Sequence, residues 1–145
     1  MYGKIVAKVE SKFLTLTDYS PKLRIKESKK PRLFELRTYT TSEGIISQMD
    51  YMFANDTLGI FDKHGMTNIA YWHPMSDQDG YGNTLIYLLA YKGTAAHEEA
   101  WAGFRADPEW KKAAARSKER DGSGLKVKNG VQSQMLKSVD FSPKR

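Results

Sequence analysis

The chain has 145 residues, 40% of them hydrophobic, and no cysteine. That length suits one compact domain, and the missing thiols exclude disulfides, thiol chemistry and cysteine-built zinc sites. The net charge of +6 gathers in Lys22–Arg32 and Lys111–Arg120; no aromatics interleave there, so these runs read as a charged linker and a solvated helix face, which argues against a nucleic-acid surface. No run approaches the length of a membrane span. No cleavable signal is visible; a leader on a longer parent stays compatible with this, and the cytoplasm is the default compartment for a bacterial chain.

The first predicted element is a strand inside an internal repeat. Gly3–Lys22 aligns without gaps to Leu125–Lys144 at an offset of 122, with eight identities in twenty positions. Lys4/Lys126, Val9/Val131, Ser11/Ser133, Leu14/Leu136, Asp18/Asp140, Ser20/Ser142, Pro21/Pro143 and Lys22/Lys144 are the identical pairs. The second copy closes a domain, so residues 1–22 read as the end of a preceding repeat. Residues 23–31 read as a basic linker closed by Pro31. A single domain then spans 32–143.

That domain opens with a strand, Arg32–Tyr39, on which Phe34, Leu36 and Thr38 share one face and Glu35, Arg37 and Tyr39 the other. Ser42 and Glu43 start a helix with an apolar stripe of Ile45, Ile46, Met49, Met52, Phe53 and Ile60, closed at His64-Gly65. Asn68–His73 is a strand, residues 76–83 a hairpin loop, and Thr84–Tyr91 a strand apolar on both faces. Thr94–Arg105 is a helix with Ala100, Trp101 and Phe104 inward. Asp107-Pro108-Glu109 restarts helix by N-cap and N1 proline, and Leu125–Leu136 is the last strand.

The order strand-helix-strand-strand-helix-strand predicts an α+β, ferredoxin-like βαββαβ sandwich with an extra N-terminal strand. Two helices cover one sheet face only, yet the third core strand asks for cover on both. A second sheet is therefore expected, from a homodimer or a sister repeat. With Phe34 and Leu36 toward the helices, Glu35, Arg37 and Tyr39 would point between the sheets.

Several stretches together resemble the NIPSNAP family: Glu35-Leu36-Arg37-Thr38-Tyr39-Thr40, Phe61–Asn68, Tyr71-Trp72, Asn83–Ala90, Trp101–Trp110 and the Asp-aromatic-Ser-Pro ending. The resemblance covers Arg32 to Pro143 and also the N-terminal copy. It implies a dimeric α/β barrel and the existence of two-repeat members, this chain matching the C-terminal repeat of a bacterial one. For function it implies little: eukaryotic members are associated with mitochondria, vesicle trafficking and mitophagy signalling, and the wider superfamily holds cofactor-free and haem-degrading monooxygenases and small-molecule binders. Two positions depart from the pattern. Asp56 stands where bacterial relatives tend to carry histidine, and Gln132 where the N-terminal copy keeps Glu10.

Glu35, Arg37, Tyr39, Tyr71 and Tyr87 are the candidate ligand-binding residues. Glu35 and Arg37, two apart on one strand face, make either a polar pocket floor or a structural ion pair. Tyr71 and Tyr87, on adjacent strands, would line a hydrophobic ligand site. Asp56, inside the apolar stripe, is the candidate catalytic base, or else meets an arginine. His64, His73 and His97 have no metal-ligand spacing, so no metal or other cofactor is expected. The expected function is binding of a small organic molecule in a barrel cavity. A structural or interaction module and a cofactor-independent monooxygenase are the alternatives.

Overall fold

A computed structural model describes residues 5–23, 30–122, 126–139 and 142. Most of the expected linker (24–29) and residues 140, 141 and 143 of the closing repeat lie outside the described residues. The elements are β1 (Leu14–Leu16), β2 (Leu33–Thr41), α1 (Ile46–Met52), a π turn (Phe53–Thr57), α2 (Leu58–Lys63), β3 (Thr67–Pro74), β4 (Thr84–Tyr91), α3 (Thr94–Ala106), α4 (Pro108–Asp121) and β5 (Lys126–Lys137). The strands form one antiparallel sheet in the order β1-β3-β4-β2-β5. Without β1 this is the ferredoxin-like order, as expected from the sequence.

The helices cover one face of the sheet, and the alternation of β2 decides what they cover. Leu33, Glu35, Tyr39 and Thr41 are buried, while Phe34, Leu36 and Thr38 on the other face are only half-buried. This reverses the expected orientation: Glu35, Arg37 and Tyr39 point at the helices, not away from them. The reason is the partners. Tyr39 packs edge-on against Phe53 at 5.8 Å, and Glu35 accepts from Trp101 of α3, so polar atoms are buried where donors await them. On β4, Leu85, Tyr87, Leu89 and Tyr91 share the helix side with them. Phe34, Leu36, Trp72 and Leu88 lie on the other face, which no described helix covers.

The long helix begins at Ile46, after Gly44 at φ 77°, rather than at Ser42. Its π turn adds a residue to one turn. Thr57 Oγ1 donates back to Met52 O at 3.2 Å, five residues away. The wheel is thereby shifted: Thr57 is buried where plain α periodicity places Asp56. The core beneath is aromatic, with Tyr71 stacked on Tyr87 at 5.1 Å and Phe53 edge-on to Tyr87 at 5.3 Å.

α4 starts as its sequence dictates. Pro108 opens it, and Asp107 Oδ1 accepts from Glu109 N at 2.7 Å. The other oxygen of Asp107 lies 2.6 Å from His64 Nε2 and 2.9 Å from Lys63 Nζ. The His64 contact first, then Lys63, holds this carboxyl well below the usual range. His64 reaches Asp107 because position 103 is glycine: a Cβ there would lie 2.5 Å from His64 Nδ1. Gly103→Ala is therefore expected to push His64 off Asp107 and cost about 1–3 kcal/mol. Urea denaturation measures this, and an unchanged midpoint would mean that His64 swings clear at no cost.

The N-terminal segment docks on the edge of β3. Leu14–Leu16 pairs with Trp72–Pro74, Thr17 N donates to Tyr71 O at 3.0 Å, and Tyr71 N donates to Ser20 Oγ at 2.9 Å. Tyr19 leans on Tyr71 at 5.7 Å and donates to Asp50 Oδ1 at 2.7 Å. His73 meets the same carboxylate through Nε2 at 3.1 Å, while its Nδ1 lies 2.8 Å from Thr84 O. Both partners only accept, so both bonds form together only when the ring carries two protons. The Asp50 bond, set against burial, raises the His73 pKa above its ordinary value. A raised folded pKa contributes stability below about pH 6.5 that is lost as pH rises through the raised value. Amide exchange at Thr17 and Tyr71, corrected for its intrinsic pH dependence, is expected to quicken a few-fold on that rise. Asp50→Asn should abolish the dependence, and an identical profile in the variant would remove His73 from the account.

Candidate functional site

Between the sheet and the helices lies a cavity of about 690 Å³. Met49, Met52, Phe53, Phe61, Phe104 and Trp110 form much of its apolar wall. Glu35, Arg37 and Tyr39 of β2, with His97 and Trp101 of α3, form its inner polar end. Glu98, Arg105 and Lys118 are its exposed charged lining residues.

The polar end is built around one carboxylate. Glu35 Oε1 accepts from Arg37 Nη1 at 2.5 Å and from Ser133 Oγ of β5 at 2.6 Å. Its Oε2 accepts from Tyr91 OH at 2.6 Å and from Trp101 Nε1 at 3.1 Å. Four donors fill the acceptor capacity of a carboxylate. Burial would raise its pKa, but the bonds from Ser133 and Tyr91 and the Arg37 charge outweigh that and hold it at about 2. Glu35 is thus an ionised, saturated anchor and not a poised base. Tyr91 shifts the opposite way: burial first, then the bond to Glu35, raises its hydroxyl above the phenol range, so it stays a donor.

Arg37 is fixed on three sides. Nε donates to Tyr87 OH at 2.9 Å, Nη1 to Glu35, and Nη2 to Tyr39 OH at 3.1 Å. Its Cζ lies 4.3 Å from the centre of the Trp101 ring, a cation–π contact. His97 Nε2 comes within 3.2 Å of Glu35 Oε2, but off the line of a hydrogen bond, and among the described residues that buried nitrogen has no hydrogen-bond partner. The contact is electrostatic when the ring is protonated and otherwise steric.

The structure brings Glu35, Arg37 and Tyr39 together at the cavity. Tyr71 and Tyr87 are placed differently. Both are fully buried in the aromatic stack beneath the cavity wall, and Tyr87 reaches the site only through its bond from Arg37. Asp56 lies outside the cavity, because the π turn rotates it outward, where it accepts from Arg116 Nη2 at 2.8 Å. An oxygenase route using Asp56 as base therefore has no geometric footing. The candidate set named from sequence left out Tyr91, His97, Trp101 and Ser133. His97 and Trp101, four apart on one helix face, carried a signal. So did Ser133, which matches Ser11 at the 122-residue offset.

Comparison with known proteins agrees with this architecture. None of the curated proteins is significantly similar in sequence. A NIPSNAP family protein of unknown function from Agrobacterium tumefaciens superposes with a TM-score of 0.63 at 22% identity, over 82% of this chain and 98% of its own. A second NIPSNAP family protein from that organism gives 0.67 at 18% identity, over 86% and 100%. An uncharacterised NIPSNAP domain protein from Burkholderia xenovorans gives 0.61 at 22%, over 77% and 98%. At these identities the structures establish the fold alone. The family model for NIPSNAP matches residues 34–143, from the second residue of β2 through β5 and beyond, and the chain belongs to the NIPSNAP family.

Proposed function

We propose that this domain binds a small organic molecule in the cavity between its sheet and its helices. The observation that carries the reading is the cavity itself: about 690 Å³ bounded by methionine and aromatic side chains. Protein interiors are close-packed, and side chains of that kind collapse onto a void unless something holds it open. The volume falls within the roughly 300–1,000 Å³ range of ligand pockets. The saturated Glu35–Arg37 pair favours this reading, because it holds the polar end rigid at no cost to a ligand. The test is a thermal-shift series of aromatic and aliphatic acids and alcohols against the wild type and Ala114→Phe. Ala114 lines the cavity from α4, so a ring there fills it. Ligands are expected to raise the wild-type midpoint and to lose that effect in the variant. Shifts of equal size in both proteins would place binding elsewhere.

A second reading, assembly, is favoured by one observation. Residues 14–20, the copy of 136–142, occupy the edge of β3, whereas β5 runs along the edge of β2. Two related domains would interlock if each closing strand began on its own β2 and ended on its sister's β3. The uncovered face with Phe34, Leu36, Trp72 and Leu88 would then meet its counterpart. A sister repeat satisfies this geometry directly; in a homodimer the sister's closing strand would displace residues 14–20 from the edge of β3. Light scattering of this chain at micromolar concentration is expected to give the dimer mass. A monomer at every concentration would remove the homodimer.

A further inference from the structure

The two ends of the cavity differ electrically, and the difference names a ligand class. The inner end is already neutral: Arg37 and Glu35 compensate each other at 2.5 Å. Three of the five guanidinium N–H donors are used, on Tyr87, Glu35 and Tyr39, and Trp101 covers one face. An anion brought there would face the ionised Glu35 carboxylate away from water, where like charges repel most. The mouth is the reverse. Arg105 and Lys118 are exposed on it and, among the described residues, neither meets a carboxylate, whereas Arg116 and Arg120 on α4 are each paired with one. Among the described residues Glu98 is the one acid there, so the mouth keeps a positive excess.

We infer that the ligand is an amphipathic organic acid, bound hydrocarbon-first, with its carboxylate at the mouth beside Arg105 and Lys118 and its carbon body against Phe53, Phe61 and Trp101. The inference rests on the binding role proposed above. It inverts the orientation that Arg37 suggests at first sight: the buried arginine is a structural cation and the surface cations are the anion receptors. The chain's net charge of +6 works in the same direction, drawing anions toward the protein. An alcohol of the same carbon skeleton would fill the wall equally well and forgo the mouth.

The test compares pyrenebutyrate with pyrenebutanol, which share one carbon body, by fluorescence titration of the full chain at low ionic strength. The acid is expected to bind about tenfold more tightly, as two partly exposed charge contacts allow. In Arg105→Gln/Lys118→Gln that gap should close while the alcohol keeps its affinity. Among the described residues neither side chain has a hydrogen-bond or ion-pair partner whose loss would unsettle the fold, and circular dichroism verifies this. Equal affinities in the wild type, or an acid preference that survives in the double variant, would overturn the inference and leave the cavity as a binding site. Absence of saturable binding by either probe would overturn both.

Discussion

Glu35→Ala is expected to lower the unfolding free energy by about 3–5 kcal/mol, the loss typical of breaking a buried ion pair from one side. In a domain of this size that shifts the thermal midpoint by about 10–15 °C. The loss has several parts. Arg37 stays behind as a nearly buried cation without its counter-charge, and Ser133, Tyr91 and Trp101 all lose their acceptor. Each buried donor left unsatisfied adds its own desolvation penalty. Glu35→Gln keeps the shape and one acceptor oxygen, so it should cost less than alanine but more than a surface change. The wild type has its own acid signature. With a folded pKa of about 2 against an ordinary 4.5, Glu35 contributes stability that is fully present above about pH 4.5 and is lost as pH falls toward 2. Glu35→Gln should flatten that part of the stability profile. Equal acid sensitivity in wild type and variant would assign it to other carboxylates.

Tyr87→Ala should be at least as damaging, at about 3–5 kcal/mol, whereas Tyr87→Phe should cost only about 1–2 kcal/mol. The ring is fully buried and meets Tyr39, Phe53, Phe61 and Tyr71 at centroid distances of 5.2, 5.3, 6.2 and 5.1 Å. Removing it takes the centre out of the aromatic layer and leaves a void the sheet cannot close. Removing the hydroxyl alone strips Arg37 Nε of its acceptor and leaves the packing intact. The two variants therefore separate a packing role from a site role. Urea midpoints should fall steeply for alanine and slightly for phenylalanine. Two variants of equal stability would mean that the hydroxyl, not the ring, carries Tyr87's contribution.

Local chemistry made much of the fold legible. The alternation of β2, the double-sided hydrophobicity of β4 and the Asp107-Pro108 start of α4 are all written within a few residues of where they act. The direction of β2's two faces was not. Phe34 and Leu36 are the more apolar set, and an inward Glu35 makes sense only beside Tyr91, Trp101 and Ser133, which stand 56, 66 and 98 residues away. Sequence alone named Glu35, Arg37 and Tyr39, since a charged pair within a core strand is locally visible. It set Asp56 inside the apolar stripe, because a π turn has no sequence signal that competes with the 3.6-residue period, although its alternative for that residue, an arginine partner, is what the structure shows. It assigned Tyr71 and Tyr87 to a pocket, because a buried and a lining tyrosine look alike until the neighbouring helix is in place.

The bond from Ser133 to Glu35 also governs how the chain is made. It joins residues 98 positions apart, and β5 is the outer neighbour of β2 along most of that strand's length. At a synthesis rate of about 5–20 residues per second, the ribosome needs roughly 5–20 s to travel from one partner to the other. Throughout that interval the nascent β2 has an open edge and Glu35 lacks at least one of its four donors. The domain therefore completes itself only when its final strand emerges, and a stalled or shortened chain would present an unclosed strand to chaperones and proteases.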